Sequence, residues 1–221
     1  MQSFRQDIQR YRLHRSSSSL FVILCTEQGL WALAQYRLAS SIYQATLPPL
    51  LKQILLGIMV ILQKIIEILT GICLPYAATI GPGFYIGHFG NIFINHQAVI
   101  GSRCNISQGV TIGISGRGSR RGVPKIGNNV YIGTNAVIIG KITVGDDAVI
   151  AANSLVNANV PPHVTMLGVP ARIHSQHGSE YYLDPPLEDE LYSLAEMTDP
   201  LADVYSSEIN SALSAHTIVV E

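Results

Sequence analysis

The sequence predicts a mainly β protein, a parallel β-helix entered through an α-helical region, and three observations predict it. A six-residue recurrence of aliphatic residues occupies the middle of the chain: Ile80, Ile86 and Ile92, then after a two-residue slip Ile94, Ile100, Ile106 and Ile112, then Ile126, Ile132, Ile138, Val144, Ile150 and Val156. Glycine often follows the aliphatic residue directly, as at Gly81, Gly87, Gly101, Gly113, Gly127, Gly133 and Gly145. Upstream the apolar residues recur with a helical period instead. The expected division is a helical region over 1–74, the β-helix over 75–173 and an acidic tail over 174–221.

In the first region Ser16 to Ser19 supply a cap, and a helical face runs from Leu20 through Trp31, Leu33, Tyr36, Leu38 and Ile42. Pro48 and Pro49 end that segment and start a second helix carrying Leu50, Ile54, Leu55, Ile58, Leu62, Ile65, Ile66 and Leu69. Its longest apolar run, residues 54–62, is too short for a bilayer and is bracketed by Lys52, Lys64 and Glu67. A helix buried in the chain or packed in an oligomer is expected, with peripheral membrane contact as the alternative. Pro75 is the natural stop.

The six-residue period belongs neither to a helix nor to an alternating strand. Three short strands of six residues close one coil, each aliphatic side chain points inward, and coils stack because one alone cannot bury its core. Residues 76–173 leave room for four to five coils. Between Ile112 and Ile126 the period breaks at a segment with Gly113, Gly116, Gly118 and Gly122 and the arginines Arg117, Arg120 and Arg121. A cationic loop is expected there, suited to covering an anionic substrate.

About half of the 221 residues are apolar, which excludes disorder of the whole chain. From residue 178 onward there are ten acids and no Lys or Arg, so the first 177 residues carry five acids against all fourteen basic residues, a net charge of +9. Such a body attracts an anionic ligand or is balanced by its own tail. Cys25, Cys73 and Cys104 lack ligand-like spacing and read as reduced thiols of a cytoplasmic protein. The N-terminus does not read as a signal peptide. No aromatic and basic surface accompanies the arginine loop, which argues against nucleic acid.

The residues 80–101 (IGPGFYIGHFGNIFINHQAVIG), 104–113 (CNISQGVTIG), 124–145 (PKIGNNVYIGTNAVIIGKITVG) and 160–173 (VPPHVTMLGVPARI) together resemble the hexapeptide-repeat acyltransferases. Within them the chain is most similar to serine acetyltransferases and the related acetyltransferases of surface-polysaccharide loci. The segment 29–40 (GLWALAQYRLAS) resembles the helical preface of the same family. This resemblance implies a left-handed parallel β-helix, a homotrimer or a dimer of trimers joined through the N-terminal helices, and acetyl-CoA as co-substrate in a groove between prisms. It implies that His88 is the general base, taking the acceptor hydroxyl's proton as the oxygen attacks the thioester. Cofactor contacts fall on Gly133, Ala151, Ala152, Gly168 and Arg172, and a backbone N–H of the 109–116 region would stabilise the oxyanion.

Several family positions differ in this chain. The aspartate before the catalytic histidine is Gly87, the substrate-binding aspartate is Ile72, and the arginine and histidine before Pro-Lys-Ile-Gly are Gly122 and Val123. A small zwitterion needs paired charges to offset its desolvation, so the expected acceptor is a sugar hydroxyl of a surface polysaccharide or its precursor. Serine O-acetyltransferase of cysteine biosynthesis is the alternative, and a non-catalytic trimeric scaffold a further one. His96, Arg120 and Arg121 are candidate substrate contacts. No metal is expected, because His88, His96 and His163 lack the spacing of the zinc enzymes built on similar prisms. Cys104, two residues before inward-facing Ile106, reads as packing rather than as a nucleophile.

Overall fold

A computed structural model describes residues 2–14 and 19–183; most of the acidic tail expected over 174–221 lies outside the described residues. Four helices open the chain: α1 Gln2–His14, α2 Leu20–Thr26, α3 Gln28–Gln44 and α4 Pro49–Thr70. Ser19 caps α2, its hydroxyl accepting from the Val22 N–H at 3.4 Å. Pro49 starts α4, and Gly71 ends it at φ 67°, a left-handed turn that glycine adopts without a Cβ clash. One sequence expectation is corrected. The face from Leu20 to Ile42 is two helices, because Glu27 breaks it with extended backbone at φ −92°, ψ 96°.

Fifteen short strands follow. β1 Ile72–Cys73, β2 Thr79–Ile80 and β3 Tyr85–Ile86 form the first coil. β4 Ile92–Ile94, β5 Val99–Ile100 and β6 Asn105–Ile106 form the second, and β7 Thr111–Gly113, β8 Lys125–Ile126 and β9 Tyr131–Ile132 the third. β10 Val137–Ile139, β11 Thr143–Val144 and β12 Val149–Ile150 form the fourth; β13 Leu155–Val156, a bridge at Val160 and β14 Thr165–Gly168 form a fifth, on whose last strand β15 Ala171–Ser175 folds back. The sheet orders β1-β4-β7-β10-β13, β2-β5-β8-β11 and β3-β6-β9-β12-β14-β15 are the three faces of a prism, all parallel except the final β14–β15 pair. This is the left-handed parallel β-helix expected from the sequence.

Register explains the period. Ile80, Ile100, Ile126 and Val144 are successive partners on one face, and Ile86, Ile106, Ile132, Ile150 and Met166 on another. All are buried. Each fully buried aliphatic side chain contributes about 1.5–3 kcal/mol, more than the roughly 0.5–1.5 kcal/mol net of a ladder hydrogen bond, so the inward stack sets the register. The expected boundaries shift at both ends. β1 pairs with β4, and Ile72 and Leu74 are buried, so the prism begins before Pro75. Beyond residue 173 the chain does not leave at once: the Ser179 N–H donates to the Asp147 carbonyl at 2.9 Å, and its hydroxyl donates to the Asn129 carbonyl at 2.5 Å.

The first coil's open edge is closed by side chains of α1 and α3. Tyr36 Oη donates to the Ala78 carbonyl and accepts from the Ile80 N–H, while Tyr11 Oη donates to the Ile86 carbonyl and accepts from the Ile86 N–H. Asp7, wholly buried, accepts from the Phe84 N–H at 2.9 Å and from Arg37 Nε at 2.8 Å. Burial pushes the Asp7 carboxyl upward, with Arg37 and the backbone donors opposing. Arg37 also donates to the Ile80 and Gly81 carbonyls, and Arg10 to the Gly83 carbonyl. An unpaired strand edge buried under helices would leave these groups without partners. The helical region is thus the solenoid's cap rather than an appended module.

Of the placements expected for the second helix, burial within the chain is the one the structure corrects. Leu51, Ile54, Ile58, Ile61, Ile65 and Ile68 follow a three-four spacing along α4 and are all exposed in the single chain, Ile68 at 82%. With 22 largely apolar residues, little of whose surface is buried, α4 meets the length and composition of a membrane-crossing helix. The nine-residue run understated it because helix geometry continues the apolar face past Lys64 and Glu67.

Candidate active site

The corner that follows the strands of the β3 face collects one short segment from every coil. The N–H groups of Gly87, Ser107, Gly133 and Ala151 donate in turn to the carbonyls of Ile106, Ile132, Ile150 and Met166. His88, Gly133, Ala151, Ala152 and Gly168 therefore lie along one edge, with successive coils about 4.8 Å apart. His88 is exposed, in a corner lengthened by the two-residue slip and turned by Gly90 at φ 107° and Asn91 at φ 52°. Gly133 is required by stacking itself, since a Cβ there would come within 2.7 Å of the Ala152 nitrogen. Ala151 is half-buried and Ala152 exposed, so neither is a core packing choice within the chain.

A cavity of about 640 Å³ opens at the His88 end of this edge, between the β3 face and the junction of α2 with α3. His88, Phe89 and Gln108 line it from the prism, His14, Glu27 and Gly29 from the helices, and Tyr182 from the segment after β15. The His14 ring stacks on Tyr85 with centroids 4.0 Å apart, and Tyr131 meets Tyr182 at 4.8 Å. Gln108 Oε1 is buried with no hydrogen-bond partner among the described residues, an acceptor open to a ligand donor. Glu27, 9% exposed, contributes a carboxylate to the lining, in which no Lys or Arg occurs among the described residues.

Other candidates are brought elsewhere. His96 follows β4, and the arginine loop follows β7; these corners are neighbours in register, since the Asn95 N–H donates to the Ile112 carbonyl. His96, Arg120 and Arg121 thus share a second edge, all exposed, and none lines the cavity of its own chain. The loop is a small hairpin, with Ser115 and Gly122 exchanging backbone hydrogen bonds around a 3-10 turn at Gly118–Arg120. The Gly109 N–H is committed to the Gly90 carbonyl at 2.9 Å, which removes it as an oxyanion donor. Arg172 is exposed on β15. His163 occupies the last turn at φ 56°, its Nε2 3.6 Å from Asp147.

Cys104 is wholly buried, its thiol bonded to the Gly127 carbonyl at 3.2 Å, and burial pushes its pKa up to about 12. Only the thiolate is nucleophilic. Under native conditions Ellman's reagent is expected to label exposed Cys25 and to leave Cys104 unreacted until denaturant is added. Native labelling of Cys104, located by peptide mapping, would contradict the packing seen here.

Glu27, His14, Gln108 and Tyr182 were not singled out from the sequence. The break at Glu27 within an apolar helical face was the one available signal, and no motif marks Tyr182.

A parallel hexapeptide prism with a histidine on the corner edge defines a class, the hexapeptide-repeat acyltransferases; residues 124–158 match the family described as "Bacterial transferase hexapeptide (six repeats)". Among relatives, a serine acetyltransferase from Bacillus pumilus is 31% identical over 188 residues, covering 85% of this chain and 80% of its own length. One from Synechococcus elongatus is 34% identical over 161 residues, covering 73% of this chain; the chain spans 62% of that relative. Of solved structures, the Brucella abortus serine acetyltransferase in complex with coenzyme A superposes with a TM-score of 0.68 at 33% identity, over 80% of this chain and 68% of that one. The Neisseria gonorrhoeae enzyme in complex with serine gives 0.67 at 29% identity, over 79% and 68%. The chain belongs to the serine-acetyltransferase-like family of hexapeptide-repeat acyltransferases.

Proposed function

We propose that this chain is an acetyl-CoA-dependent O-acetyltransferase that transfers the acetyl group to the hydroxyl of serine, with His88 as general base. The observation carrying this reading is the relatives' shared identity as serine acetyltransferases, together with solved neighbours holding coenzyme A and serine. It reverses the order of acceptors drawn from Ile72, Gly122 and Val123. Ile72 is a stacked core residue, and Gly122 packs against Lys141, where a Cβ would come within 2.7 Å of the lysine Cβ.

In the proposed reaction an imidazole nitrogen of His88 accepts the hydroxyl proton as the oxygen attacks the thioester carbonyl, and the proton then goes to the departing CoA thiolate. The edge fits the co-substrate: Gly133, Ala151, Ala152 and Gly168 put little side-chain bulk along it, leaving backbone groups approachable by an extended arm. Arg172 is the candidate phosphate contact. In a trimer a neighbouring prism would bring its own edge to this groove, and with it His96, Arg120 and Arg121, while the exposed seam of α4 offers a contact between copies. A cytoplasmic location rests on three unpaired cysteines, Cys25, Cys73 and Cys104.

A sugar hydroxyl is the second reading, favoured by a cavity of about 640 Å³ with Tyr85, Tyr131 and Tyr182 in its walls. The deciding measurement is thiol release from acetyl-CoA by the purified chain with L-serine as sole acceptor, over a control without acceptor. Serine-dependent turnover is the expected outcome. Its absence, with acetyl-CoA binding intact, would overturn serine and leave the sugar reading.

A further inference from the structure

We infer that the corner edge carrying the arginine hairpin is a binding site for a diphosphate-bearing substrate. This goes beyond the acceptor reading above, since it concerns a different edge of the prism and is read by binding rather than by turnover.

The edge is built from four stacked corners: residues 95–98 after β4, 114–124 after β7, 140–142 after β10 and 157–160 after β13. The ladder ties neighbouring corners together, the Asn95 N–H donating to the Ile112 carbonyl and the Gly140 N–H to the Gly113 carbonyl. They present His96, Arg117, Arg120, Arg121 and Lys141, all exposed, and exposed Lys125 follows at the start of β8. No Asp or Glu occurs in the four corner segments or in β8. None of these side chains has a hydrogen-bond or ion-pair partner among the described residues.

The hairpin takes its shape from the backbone alone. Gly116 and Gly118 adopt φ 96° and 58°, the left-handed region that glycine tolerates. The Ser115 and Gly122 pair closes it, and the N–H groups of Arg120 and Arg121 donate to the Arg117 and Gly118 carbonyls. Its end rests on the next coil, where a Cβ at Gly122 would sit 2.7 Å from the Lys141 Cβ. The arginine side chains are therefore not needed to hold the turn, and the fold sets them beside Lys141 against like-charge repulsion. A bound anion removes that cost.

The charge count selects the anion. One guanidinium fork satisfies a carboxylate, and the three arginines and two lysines of this edge outnumber it. A diphosphate spreads its greater charge over two phosphoryl groups, which arginine meets with paired donors and lysine as a point charge. Two sources bring a diphosphate to the proposed reaction: the nucleotide end of acetyl-CoA, and an acceptor sugar carried on a nucleoside diphosphate.

The test is calorimetric binding to the full chain, as wild type and as the triple variant Arg117→Gln, Arg120→Gln and Arg121→Gln. The probes are coenzyme A, UDP-glucose, and pantetheine, which lacks phosphate. Wild type is expected to bind at least one diphosphate probe, less tightly as salt is raised. The triple variant should bind it about tenfold more weakly, with pantetheine binding and melting temperature unchanged, and Lys141→Gln should show a smaller loss. Loss confined to coenzyme A assigns the diphosphate to the co-substrate, loss confined to UDP-glucose assigns it to the acceptor, and loss of both supports a shared site. Wild-type binding of neither diphosphate, undiminished affinity in the triple variant, or an equal loss for pantetheine would overturn the inference. A chain that binds a diphosphate here yet fails to acetylate serine would lose only the acceptor reading.

Discussion

Replacing His88 with alanine is expected to lower kcat for acetyl transfer by about 10²- to 10⁴-fold, the usual contribution of a positioned general base. The KM for acetyl-CoA and the melting temperature should stay close to those of wild type. The reason is positional: His88 is exposed in a corner whose turn is made by Gly90 and Asn91, while the adjoining stack is held by Ile86 and Ile92. Removing its ring opens no core cavity. His88→Gln, which keeps a polar group but cannot take the proton, should be nearly as slow. Unchanged turnover in both variants would remove His88 as base, and a large fall in melting temperature would make its role structural.

The largest effect on stability is expected at Asp7. Its carboxylate is wholly buried, accepts from Arg37 Nε at 2.8 Å and Nη2 at 3.0 Å, and accepts from the Phe84 N–H. Asp7→Ala leaves a mostly buried guanidinium without its counter-charge and a buried N–H without its acceptor. Breaking one side of such a pair costs about 3–5 kcal/mol, and here it also loosens α1 from the first coil. The loss should appear in urea unfolding as a lower midpoint, with Arg37→Ala similar and the double variant less than additive. A change under about 1 kcal/mol at either position would mean that the cap contributes little to the solenoid.

The same capping residues mark where sequence reading stopped. A six-residue period could be read directly because every inward position repeats one local geometry, and Ile80, Ile106 and Ile138 are each buried as that period requires. Asp7, Arg10 and Tyr11 carry no such period. They read as an ordinary polar helix face, and their worth depends on backbone groups more than seventy residues away that remain unpaired until the coil closes.

The site divides in the same way. His88 and the small residues of its edge were singled out through the resemblance to the family, and they fall on one edge because each coil turns at the same point after its inward aliphatic residue. Tyr182 enters the cavity because Ser179 fastens the chain across Asn129 and Asp147 after the last strand. Glu27 enters it because an apolar helical face breaks at that residue.

The sequence by itself determined the prism, its register and the corner that carries His88, because inward burial at a fixed spacing is a local rule repeated along the chain. Only the tertiary structure decided which remote segments close the cavity and that the apolar seam of α4 faces outward. Those outcomes depend on long-range contacts, whose partners are chosen by the shape and unpaired backbone of a coil already formed.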